Sequence, residues 1–103
     1  MEEYMEFVYE PELLEYMNQK KQHNIIVQVA ETHSDIDIQE IHVHLLNDKL
    51  ADFHISEKKY RAHETAHGKI LLPKYPLEYE DKVIFGLKKV WLFKSVTFKG
   101  ISF

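Results

Sequence analysis

The chain has 103 residues, 45% of them hydrophobic and 29% charged, with a net charge of -4, seven His and no Cys. That length suits one domain with a single modest core, and the composition is that of an ordinary globular protein, not a disordered one. The acidic balance gives no footprint for nucleic acid, and the lack of Cys excludes disulfides, thiolate metal sites and cysteine nucleophiles.

No run approaches the roughly 18 apolar residues of a membrane span. The opening Met1 to Glu6 is acidic where a secretion signal is basic and then apolar. A cytoplasmic protein with neither membrane nor nucleic-acid partners is expected.

A short strand is predicted over Glu6 to Tyr9, and Pro11 suits the first turn of a helix. Leu13, Leu14 and Met17 share a helical face, and Glu12 and Glu15 precede Lys20 and Lys21 as the helix dipole favours, which assigns one helix to residues 11–21. Asn24 to Glu31 reads as a strand and Thr32 to Asp35 as a turn. Beyond it Ile36 and Ile38 fall on even positions but Ile41, Val43 and Leu45 on odd ones. A β-bulge or break at Gln39 and Glu40 would restore one buried face.

Asn47-Asp48-Lys49 reads as a hairpin loop, with Leu50 to Ile55 returning as a strand that carries Ala51, Phe53 and Ile55 on one side. Ser56 to Gly68 is polar and fits helix, strand or loop. Lys69 to Leu72 is a short strand, and Pro73 and Pro76 mark an irregular connection. From Lys82 to Phe103 β-branched and aromatic residues run at strand density, which predicts two or three adjacent strands forming the core. Parity from Val90 puts Val90, Leu92, Val96 and Phe98 on one face and Trp91, Phe93, Ser95 and Thr97 on the other. Such a sheet needs cover on both sides. The expected class is α+β and mainly antiparallel: one domain over residues 1–103, a small barrel or sandwich with one N-terminal helix.

Charge is split along the chain. Residues 1–15 hold six Glu and no Lys or Arg, while residues 82–103 hold five Lys and no acid. Either the two ends lie together and complement each other, or the lysine face meets an acidic partner or phosphate.

The order strand, helix, successive strands, with Ser34-Asp35-Ile36-Asp37-Ile38 and the ending Phe93-Lys94-Ser95-Val96-Thr97-Phe98-Lys99-Gly100-Ile101, resembles the HesB/IscA-like fold of A-type iron-sulfur carriers and related small cysteine- or selenocysteine-motif proteins. In those families the chemistry is implied by cysteines after the second strand and near the C-terminus. Here the first position falls at about His33 and Ser34, and the C-terminal pair is absent. The resemblance therefore implies a HesB-like fold and argues against cluster carriage, which needs thiolate ligands.

His63-Glu64-Thr65-Ala66-His67 matches H-E-x-x-H, in which two histidines one helical turn apart bind zinc and the glutamate activates water. Tyr60, Ala62 and Ala66 are its segment's only apolar residues, so a helix there has almost no face to bury; a solvated loop or edge segment fits better. The stronger metal candidate is His42-Val43-His44. With a three-residue loop at 47–49, His42 faces His54 and His44 faces Asp52, giving a His42, His44, Asp52, His54 set suited to zinc, nickel or copper. The plainer reading is the polar side of a half-exposed hairpin. Trp91, Phe93, Tyr75 and Tyr79 read as core before pocket.

The function expected is a non-catalytic binding or interaction domain that self-associates through sheet edges and its apolar ending at Ile101 and Phe103. The alternative is a histidine-based metal binder or degenerate iron-sulfur carrier relative, with a zinc hydrolase last.

Overall fold

Asn24, Ile25, Ile26 and Val27 are buried in succession, a pattern that requires cover on both faces of their strand. The computed structural model, which describes residues 5–32 and 38–103, provides that cover with a second sheet on one side and a helix on the other. The elements in order are β1 (Glu6–Tyr9), α1 (Pro11–Lys20), β2 (Asn24–Thr32), β3 (Ile38–Leu46), α2 (Asp48–Ser56), β4 (Tyr60–Thr65), β5 (Gly68–Pro73), β6 (Glu78–Val90) and β7 (Phe93–Ser102). Three strands make one sheet in the order β1-β6-β7 and four make the other in the order β3-β2-β5-β4.

Ile25 and Val27 of β2 and Ile70 and Leu72 of β5 belong to the core shared with Tyr9, Val83, Phe85 and Ile101 of the three-stranded sheet and with Leu13 and Met17 of α1. Ile26 and Leu71, one residue out of phase, join Leu46 and the α2 residues Ala51 and Ile55 in a second cluster. The alternation of side chains along a strand thus sorts neighbouring residues into two cores. α1 begins at Pro11 and ends at Lys20, with Lys21 at φ 55° as its cap, within a residue of expectation. The Glu10 amide donates to the Phe85 carbonyl at 2.9 Å and so ties the helix start to β6.

Several expectations need correction. Among the described residues there are two helices: residues 50–55 lie in α2, where the Asn47 side chain accepts from the Leu50 amide at 2.8 Å and satisfies a first-turn donor. Pairing of β2 with β3 runs without a shift from Asn24↔Leu46 to Thr32↔Ile38, so no bulge interrupts Gln39 and Glu40; Ile36 and most of the 32–35 turn lie outside the described residues. The antiparallel pairs β2–β3, β4–β5 and β6–β7 predominate as expected, but each sheet also holds one parallel pair, β1 with β6 and β2 with β5. The polar stretch from 56 to 68 contributes β4, an edge strand.

The terminal segment forms two strands, as expected, but its parity is broken twice. Trp91 and Leu92 form a turn, so Val90 pairs with Phe93 and the two share a face. Gly100, at φ 92°, lies beside a register irregularity between Tyr79 and Ile84. It lets Phe98 and Ile101, three residues apart, both reach the shared core. Among the described residues no helix is long and apolar enough to cross a membrane.

Candidate functional site

At the end of the β6–β7 hairpin every residue from Lys88 to Ser95 is exposed. Exposure reaches 54% at Val90, 79% at Trp91, 77% at Leu92 and 73% at Phe93. These four residues, expected in the core, form an apolar tip instead. Trp91 sits at φ 55°, a conformation that disfavours a bulky side chain by roughly 1–2 kcal/mol.

Behind the tip Lys89 pairs across the strands with Lys94, and Lys88 with Ser95. Adjacent residues of a strand point to opposite faces, so lysines flank the tip on both. Two like charges directly opposite one another are destabilising. On the α1 side, Lys89, Lys94 and Leu87 line a shallow groove with Glu12, Glu15, Tyr16 and Gln19. The ammonium groups of Lys94 and Lys20 lie 5.2 Å and 5.7 Å from the centre of the Tyr16 ring. With the Glu6–Lys82 pair at 3.8 Å, these contacts lay acidic N-terminal residues along the basic terminal strands.

The predicted histidine face is not assembled as a hairpin. His42 and His44 remain neighbours on β3, with ring centres 6.1 Å apart, and His42 Nε2 lies 3.0 Å from Glu40 Oε2. Asp52 and His54 instead ride on α2. Asp52 lies 3.7 Å from Lys69 Nζ, and the His54 ring packs edge-on against Tyr60 at 5.6 Å with Nδ1 3.5 Å from Glu57. Between these candidates, Val43 is buried on β3 while Phe53 is exposed on α2. Among the described residues no three or more His, Cys, Asp or Glu converge as a metal site.

The H-E-x-x-H segment spans strand and turn, with His63 in β4 and His67 in the β4–β5 turn, so the helical turn that would set the two histidines side by side is missing. Both rings pack on β1: His63 lies 5.7 Å from Phe7 and His67 5.0 Å from Tyr9. Burial pushes the His63 pKa down, and the Arg61 charge adds to the effect. Burial raises Tyr9, partly offset by its 3.0 Å hydrogen bond with Thr65 Oγ1. Tyr79 is raised by burial too, with Arg61 opposing. Burial is therefore the largest cause of all three shifts, and Arg61 contributes to two of them.

The feature that sequence reasoning missed is the exposed tip. Its signal was the run Val90–Phe93 flanked by Lys88 and Lys89 on one side and Lys94 on the other, charges that do not enter a core unpaired.

No protein-family model and no curated protein matches the chain. Among solved structures it is similar to Escherichia coli SufA, involved in biosynthesis of iron-sulfur clusters, at 12% identity and a TM-score of 0.49 over 92% of this chain and 80% of that one. Of the two segments that carried the sequence resemblance, Phe93 to Ile101 falls within β7, and residues 34–37 lie outside the described residues.

Proposed function

We propose that this chain is a small, non-catalytic binding domain of HesB-like sandwich architecture, acting in the cytoplasm, whose contact element is the free end of the β6–β7 hairpin. One observation carries the reading: four consecutive large apolar residues, Val90 to Phe93, project into solvent. Contiguous exposed apolar surface of that kind marks contact sites in soluble proteins. A bulky residue held at positive φ points the same way, because strained conformations cluster where function requires them. The non-catalytic part is supported by the origin of the perturbed groups, since burial is the largest cause at Tyr9, His63 and Tyr79 alike.

A photo-crosslinking residue at position 92 of the full chain tests this in cells. Adducts form from position 92 and not from exposed position 49 on α2; equal background at both positions ends the reading.

A second reading is favoured by the His42 and His44 rings on edge strand β3. Two copies meeting along that edge present four imidazoles, a donor set suited to zinc or nickel. Zinc or nickel then shifts the sedimentation of the parent and not of His42→Ala; a parent that ignores both metals removes this reading.

A further inference from the structure

The partner of the hairpin end can be narrowed by its shape and charge. We infer that Trp91, Leu92 and Phe93 dock into the interfacial layer of an anionic phospholipid membrane, with Lys88, Lys89 and Lys94 held against its headgroups. This deepens the binding-domain reading above and rests on it.

A tip differs from a groove in what it demands of a partner. Lys89 and Lys94 line the groove against α1, but Trp91, Leu92 and Phe93 at the turn are each more than 70% exposed, so the apolar end projects, and a folded protein would need a matching cavity to receive it. The interfacial layer of a bilayer yields to a convex apolar probe without one. Trp is the residue best suited to that layer, having an apolar body and one N–H donor, and Leu and Phe supply buried apolar area.

The lysines favour an anionic surface over a second copy of the chain. None of Lys88, Lys89 and Lys94 forms an ion pair among the described residues. Glu12 and Glu15 line the groove beneath Lys89 and Lys94, while Lys88 points to the other face. Tip-to-tip pairing of two copies would gather six lysines around one contact. Against anionic lipid the same three charges attract, each strengthening binding roughly fivefold, and the effect decays within a Debye length.

Depth is limited by the backbone. Non-helical, open backbone is excluded from lipid-exposed hydrocarbon, so the Trp91–Leu92 turn rests at headgroup level. The net charge of -4 repels the rest of the molecule, so only this end faces the surface and the attachment is reversible. The expectation of no membrane partner came from the missing span, and surface docking needs none.

Trp91 is the sole tryptophan and reports on the tip directly. With vesicles of phosphatidylcholine and phosphatidylserine its emission shifts to the blue and is quenched by brominated lipid, and added salt reverses both. Phosphatidylcholine vesicles alone bind at least about tenfold more weakly. Combined Lys88→Gln, Lys89→Gln and Lys94→Gln lowers affinity on the order of a hundredfold. Combined Leu92→Ser and Phe93→Ser lowers it too, with unchanged circular dichroism showing both variants folded. Unmoved Trp91 emission, or equal binding to both vesicle types, overturns the inference. If the vesicles fail while position 92 still crosslinks to a protein or to a second copy, the binding-domain reading stands with a different occupant. If both fail, that reading falls as well.

Discussion

The side-chain amide of Asn24 donates to the Asp48 carboxylate at 2.9 Å and so pins the start of β2 to the first turn of α2. The same amide nitrogen lies 3.3 Å from the Leu46 carbonyl, and Asn24 Oδ1 accepts from the Lys69 amide at 3.0 Å. One buried polar residue thereby satisfies donors and acceptors on β3, α2 and β5, where low local dielectric strengthens each bond. Asn24→Ala leaves the Lys69 amide and the Leu46 carbonyl without this partner. A loss of about 2–4 kcal/mol in a denaturant titration is expected; a loss below about 0.5 kcal/mol would show that water replaces the side chain.

How much of this arrangement could be read beforehand depended on whether local pattern and tertiary context agreed. They agreed at α1, where Pro11 and the Leu13 and Met17 face fix a helix that then buries both residues, and at β2, expected over residues 24–31 and formed over Asn24–Thr32. They disagreed at α2. Ala51, Phe53 and Ile55 alternate as a strand would, yet Ala51 and Ile55 are also four apart on one helical face, and Asn47 supplies the cap. Capping chemistry outweighed alternation, and the four-residue metal set built on a hairpin failed with it. At the tip the misreading was of another kind: strand density was correctly seen, but density alone does not say whether a strand end lies over the core or beyond it.

Gly100 restores the inward phase of β7, and its geometry leaves no room for a side chain. At φ 92°, a Cβ there would stand 2.5 Å from the Lys82 carbonyl oxygen, a backbone atom that cannot swing aside. Gly100→Ala should lower stability by about 2–4 kcal/mol, combining the conformational penalty with displacement of β6. Thermal unfolding of the variant within a degree or so of the parent would mean that the irregularity between Tyr79 and Ile84 relaxes freely.

His63 sets a direction for the pH dependence of stability. Its folded pKa lies below the ordinary 6.5 because of burial and the nearby Arg61 charge. As pH falls through 6.5, the unfolded chain takes up the proton first, so stability is fully present above that value and declines through the window beneath it. His63→Asn removes this contribution while keeping a polar group in β4. The fall in melting temperature from neutral to weakly acidic solution should be shallower in the variant, and parallel falls would assign the acid sensitivity elsewhere.

Trp91 offers a test in which stability and contact move in opposite directions. A residue selected only for folding at φ 55° would be Gly or Asn, which visit the left-handed region cheaply, and a Trp that is 79% exposed recovers almost nothing by burial. Trp91→Asn relieves a conformational cost of roughly 1–2 kcal/mol while keeping the turn, so the variant should unfold at equal or higher temperature, a gain of about 1 kcal/mol. Co-sedimentation with phosphatidylserine-containing vesicles should fall at least about tenfold in the same variant, since the interfacial anchor is gone. A variant that is stabilised and still sediments with vesicles would assign the contact to Leu92 and Phe93 alone. One that is destabilised would show that Trp91 holds the hairpin together, and its exposure would then need a structural explanation in place of a functional one.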